Sequence, residues 1–148
     1  VGVGTGWATM ACSNPSAGTV TSSSDVAIGT SRAGVRLLQI SYTTGSNGDA
    51  GLFTCITNQY VNGWILYVET DPGATTPTTL YDIDLDNDNG RDVMGGALDD
   101  RSATVTEGTR PLDRGNYQVV ENYGFLTIQV TAAGSSKTAE ILIYYLPF

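Results

Sequence analysis

Apolar and polar residues along this chain alternate with a period of two far more often than they recur at helical spacing, the mark of half-buried strands. Tyr81-Asp82-Ile83-Asp84-Leu85-Asp86 is the cleanest case: Tyr81, Ile83 and Leu85 share one face and three aspartates the other. Residues 64–69 alternate too, with Ile65, Tyr67 and Glu69 on one side and Trp64, Leu66 and Val68 on the other. Asp71-Pro72-Gly73 then stops that strand, because proline fixes φ and lacks a ladder donor. The pattern predicts further strands at 35–42 and 52–57, read as a hairpin around the turn chemistry of Gly45-Ser46-Asn47-Gly48. Residues 92–94, 103–107 and 117–120 read as shorter strands, and 125–130 with 139–146 as a closing hairpin. Gly95-Gly96 argues against a helix after Met94.

Roughly seven to nine short strands with turns every 8–12 residues predict an all-β fold, an antiparallel β-sandwich of jelly-roll type. Residues 1–34 differ: Gly, Ser, Thr and Ala dominate, with apolar patches only at residues 7–12 and 26–28. They are expected to form an extended N-terminal arm or edge strand, ahead of a β-sandwich domain over 35–148. Trp64, Tyr81, Ile83, Leu85, Phe125, Ile128, Ile141 and Ile143 are the expected core.

A length of 148 residues fits one domain with a real core. Only 15% of residues are charged, against about 25% in ordinary soluble domains. Much of the surface must therefore be small polar or apolar, which suits a protein that makes contacts. The net charge of −8 and the absence of a basic cluster argue against nucleic acid as a partner. No apolar run approaches the ~20 residues that span a bilayer. The opening residues carry no basic-then-apolar run, and no export route is expected from them. Cys12 and Cys55 sit among small or apolar residues and are expected as buried thiols, with a single disulfide as the alternative.

Candidate chemistry is sparse. The chain has no histidine, which removes the commonest general base and metal ligand together. Asp84, Asp86 and Asp88 are weak metal candidates, since oxygen ligands at alternating positions suit Ca²⁺. The spacing fails the EF-hand test, however, and the competing reading is solvent-facing strand residues followed by a hairpin turn. No cofactor is expected, and no nucleophile or convincing acid pair points to an enzyme. Tyr42, Tyr60, Trp64, Tyr67, Tyr117 and Tyr123 could instead stack on sugars in a secreted carbohydrate-binding module, although strand aromatics more often pack in cores.

The run from Asn62 to Gly96, with its Asp71-Pro72-Gly73, Pro77-Thr78, Tyr81-Asp82-Ile83-Asp84-Leu85-Asp86 and Asp92-Val93-Met94-Gly95-Gly96 phrases, resembles small structural proteins of tailed bacteriophages and prophages. The likeness covers the chain from about Asn62 onward and brings no catalytic motif with it. It implies a virion component, most directly a capsid cement or decoration protein on the outside of the head, with a tail or neck component as the alternative. The implied partners are the major capsid protein and other copies of this chain, as a trimer. Trp7, Val26, Ile28, Leu146 and Phe148 are the expected contact residues.

Overall fold

The computed structural model describes residues 11–28 and 34–148; Trp7 lies outside them. Among the described residues eleven strands follow in order: β1 Thr19–Ala27, β2 Arg36–Thr43, β3 Phe53–Ile56, β4 Gly63–Pro72, β5 Asp82–Asp86, β6 Glu107–Thr109, β7 Leu112–Asp113, β8 Asn116–Tyr117, β9 Val120–Asn122, β10 Thr127–Thr131 and β11 Thr138–Pro147. All ladders between them are antiparallel. The larger sheet runs β1-β2-β11-β4-β6, with β9 beside β6 on the same edge of β4; the smaller runs β3-β10-β5. β7 and β8 form a separate ribbon.

The two sheets face each other as a β-sandwich, and alternation along each strand supplies the core. Leu38, Ile40 and Tyr42 of β2 and Ile141 and Ile143 of β11 bury one face of the larger sheet. Phe53, Ile83, Leu85, Ile128 and Val130 bury the facing side of the smaller one. Tyr42 stacks on Phe53 at 4.6 Å between centroids, joining the sheets ring on ring.

Two expected hairpins do not form. β2 and β3 belong to different sheets, and so do β10 and β11. A connection long enough to turn a hairpin can equally cross between sheets, and the burial of both faces favours crossing. Two expected core residues are also displaced. Trp64 and Phe125 are only half-buried, because Trp64 points to the outer side of the larger sheet and Phe125 precedes β10.

The alternation expected in β4 breaks at Leu66. Tyr67 lies opposite Tyr144, but Ile65 lies opposite Tyr145, so Leu66 is an extra residue in a β-bulge. The bulge resets the phase. Ile65 before it and Val68 after it both face the core, while Tyr67 turns outward.

The free edge of β5 is covered by residues 92–101. Val93 N–H donates to the Leu85 carbonyl at 2.8 Å, Ile83 N–H to Leu98 at 3.1 Å and Arg101 N–H to Tyr81 at 2.7 Å. The strand expected at 92–94 is thus one bridge, Asp86 to Asp92, followed by turns. Asp92 organises them: its carboxylate accepts the N–H groups of Leu85, Met94 and Gly96 at 2.8–3.1 Å. Gly95 has φ +62 and packs against the Leu112 carbonyl, so no side chain fits there. The strand expected at 103–107 appears later, as β6.

Cys12 and Cys55 form a disulfide, not the pair of thiols expected. Their Cα atoms are 6.1 Å apart, within the range for a bridge. Residues 11–17 run back along β3, with Ser16 N–H on the Thr54 carbonyl, Thr54 N–H on Ala17 and Asn58 N–H on Ala11. That path carries Cys12 to the inward-facing Cys55. Small apolar neighbours suit a buried thiol and a buried bridge equally, so local sequence could not separate them.

The bridge closes a loop across 43 positions, for which chain entropy gives about 4 kcal/mol of stabilisation. Cys12→Ser/Cys55→Ser should therefore lose up to about 4 kcal/mol in urea unfolding, and reduction of the native protein should reproduce the loss. A variant as stable as the oxidised protein would remove the bridge from any account of stability.

Candidate functional site

The sheets differ in length, and that difference shapes one end of the sandwich. β1, β2, β4 and β11 run 8–10 residues, against 4 or 5 in the smaller sheet. Where the larger sheet overhangs, its inner face carries Asp25, Arg36 and Tyr145 instead of aliphatic residues. Arg36 Nε pairs with Asp25 Oδ1 at 2.8 Å, and Arg36 Nη2 donates to the Asp25 carbonyl at 2.9 Å. The Tyr145 hydroxyl donates to Asp25 Oδ2 at 2.6 Å. Burial and the Asp25 carboxylate both hold the Tyr145 phenol well above its ordinary pKa. The triad is neutral overall and closed on itself.

Beside it opens a cavity of about 430 Å³. Leu38 and Val61 contribute apolar wall, the segment 57–62 after β3 forms one side, and Phe148 the other. Tyr60 edges onto Phe125 at 4.7 Å, and Phe148 contacts Tyr123 at 5.0 Å and Trp64 at 5.9 Å. Tyr60, Tyr123 and Phe148 are each at least 60% exposed, so aromatic surface is presented to solvent at this end.

Of the expected contact residues, Trp7 lies outside the described residues and only Phe148 lines this cavity. Val26 and Ile28 lie at the end of β1, and Leu146 and Phe148 at the end of β11. Val26 is opposite Leu37, Leu37 opposite Tyr144 and Tyr144 opposite Tyr67, so an apolar row crosses the outer face of four strands. Antiparallel sheets usually place polar residues on an outer face. Sequence reading missed Asp25, Arg36 and Tyr145. The available signal was a charged residue at an inward phase in each of two adjacent strands.

The acidic run lies elsewhere. Asp82, Asp84 and Asp86 line the outer face of the smaller sheet, opposite Thr131, Gln129 and Thr127. Asp88 sits in the following loop, where its carboxylate accepts the Phe125 N–H at 3.3 Å. Asn87 takes the N–H groups of Asn89 and Arg91, and Asp82 that of Asp100, so much of the run organises its own backbone. Among the described residues no three His, Cys, Asp or Glu side chains converge to hold a metal ion. Asp84 has a raised pKa from partial burial and the neighbouring carboxylates of Asp92, Asp86, Asp99 and Asp82. Asp86 is raised by burial and Asp92, and Asp99 by burial with Asp82, Asp92 and Asp100.

No family model matches the chain, and no curated protein matches it.

A carboxyl whose folded pKa exceeds its unfolded one makes the protein less stable as pH rises through that interval. Asp84→Asn should therefore raise the melting temperature at pH 7, through a gain under about 1 kcal/mol that high salt diminishes. The gain should vanish near pH 3, below both pKa values. An unchanged melting temperature at pH 7 in low salt would show that the carboxylates do not repel appreciably.

Proposed function

We propose that this chain is a non-enzymatic structural protein of a tailed-bacteriophage particle, a capsid cement or decoration protein that bridges major capsid proteins on the outside of the head. One structural observation carries the reading: the apolar row Val26, Leu37, Tyr144 and Tyr67 runs toward the exposed rings of Tyr123 and Phe148. Contiguous apolar surface of this kind is a liability on a free monomer and is useful when covered. The resemblance of the Asn62–Gly96 run to phage structural proteins names the setting. The strand order supports it as well: successive strands β2, β3, β4 and β5 alternate between sheets, and so do β9, β10 and β11. A jelly-roll-like winding would alternate in this way.

Assembly would use this surface twice, between copies in a trimer and between the trimer and the capsid lattice. Each contact adds stability only to the assembled state, as any partner that binds the native form does. The acidic outer face of the smaller sheet would remain in solvent, where its charge keeps the particle surface soluble. A tail or neck component is the alternative within the same reading.

Quantitative mass spectrometry of purified particles tests the proposal. Hundreds of copies per particle are expected on a head, whereas a small number set by the tail's rotational symmetry would move the protein to the tail machine. Absence from the particle would end the virion reading. Leu37→Lys/Tyr144→Lys should abolish incorporation while leaving the sandwich folded, since both side chains face outward. Normal incorporation of that variant would detach the function from the apolar row.

A further inference from the structure

The end cavity has a chemistry of its own, distinct from the apolar row outside it. Two exposed rings border it, and each is braced by another ring: Tyr60 by Phe125, and Phe148 by Trp64 and Tyr123. Bracing fixes ring orientation before any ligand arrives, which lowers the ordering cost of binding. Tyr60 also borders a second, shallower hollow with Asn58, Gln59 and Phe125, so surface for a ligand continues past the ring.

Polar groups converge between the rings. Arg36 is taken up within the triad, with Nε and Nη2 on Asp25 and Tyr145 beside its guanidinium. Asn62 uses its side-chain oxygen on the Gly124 N–H at 2.7 Å, leaving its amide N–H₂. The Gln59 side chain is exposed at the rim. Amide hydrogen-bonding groups are thus set beside aromatic faces. Charge narrows the ligand further. Asp25 neutralises Arg36, and the chain carries −8 overall, so nothing here selects for an anion.

We propose that this cavity is a binding site for neutral saccharides, with Tyr60 and Phe148 stacking on the C–H faces of pyranose rings and the Gln59 and Asn62 amides donating to their hydroxyl and ring oxygens. Its volume lies within the ~300–1,000 Å³ of small-ligand sites. Apolar ring faces with a few placed donors fit a molecule that has C–H surfaces and a rim of oxygens. An aliphatic ligand would leave the Asn62 amide donor unmatched, which is costly once water is displaced. The site stands apart from the virion reading, because it is tested on the purified protein alone.

The test is NMR chemical-shift mapping of the full, disulfide-intact chain against glucose, galactose, N-acetylglucosamine, cellotetraose and chitotetraose, with glucuronate as the acidic comparison. At least one neutral probe should shift the amides of Gln59, Tyr60, Asn62 and Phe148. Tyr60→Ala and Phe148→Ala should each weaken that binding about tenfold. Both rings are exposed, so the variants should keep the wild-type fold, verified in the same spectra. Tyr117→Ala removes an equally exposed tyrosine that borders neither hollow and should leave affinity unchanged. No shift with any neutral probe at tens of millimolar overturns the proposal. So does binding that survives loss of both rings, or a preference for glucuronate.

Discussion

The larger sheet depends on its last strand. β11 lies between β2 and β4 and pairs with both, opposite Arg36 to Thr43 on one side and Gly63 to Pro72 on the other. Without it, β2 and β4 share no ladder, and the inner faces of the sandwich lose Ile141 and Ile143 from their middle. Pairings of such sequence separation bear the loop-closure entropy before they return any stability. The disulfide acts against the same cost at the other end of the chain. It ties residues 11–17 to β3, whose edge they partly cover.

The core is not wholly apolar. Arg101 is 5% exposed and is held by four groups: Thr70 Oγ1 at 3.1 Å, the Ala97 and Glu107 carbonyls at 3.3 and 3.2 Å, and the Glu107 carboxylate at 3.1 Å. A charge so placed is tolerated because it is paired and its donors are occupied. It also links β4, β6 and the segment covering β5. Nearby, Tyr42 and Tyr81 bury hydroxyls that are neighbours without hydrogen-bonding geometry. Burial, with the adjacent phenol, holds Tyr42 well above its ordinary pKa. Burial raises the Tyr81 phenol as well.

Division of labour follows from these constraints. The strand mismatch between sheets leaves one end open, and the open end collects rings and donors. The outer face of the larger sheet holds the apolar row, and that of the smaller holds the aspartates. Apolar row, end cavity and acidic face thus lie on different parts of one small domain.

Strand identity was legible in the chain because side-chain alternation is a local property. Tyr81, Ile83 and Leu85 face inward and Asp82, Asp84 and Asp86 outward, as their order alone requires. The all-β class followed from the same periodicity. Partnering was not legible, since a strand of given phase pairs equally well with several others; burial of the sheets against each other decided that β10 and β11 part company. The bulge at Leu66 was hidden for a related reason: an extra residue changes phase only relative to the strand opposite. The cavity combines residues as far apart as Asp25, Tyr60 and Phe148. Sequence by itself determined which residues are apolar, which charged and how each unbroken strand is phased. Only the tertiary structure decided which of them meet, because the unequal lengths of two packed sheets exist nowhere in a single strand.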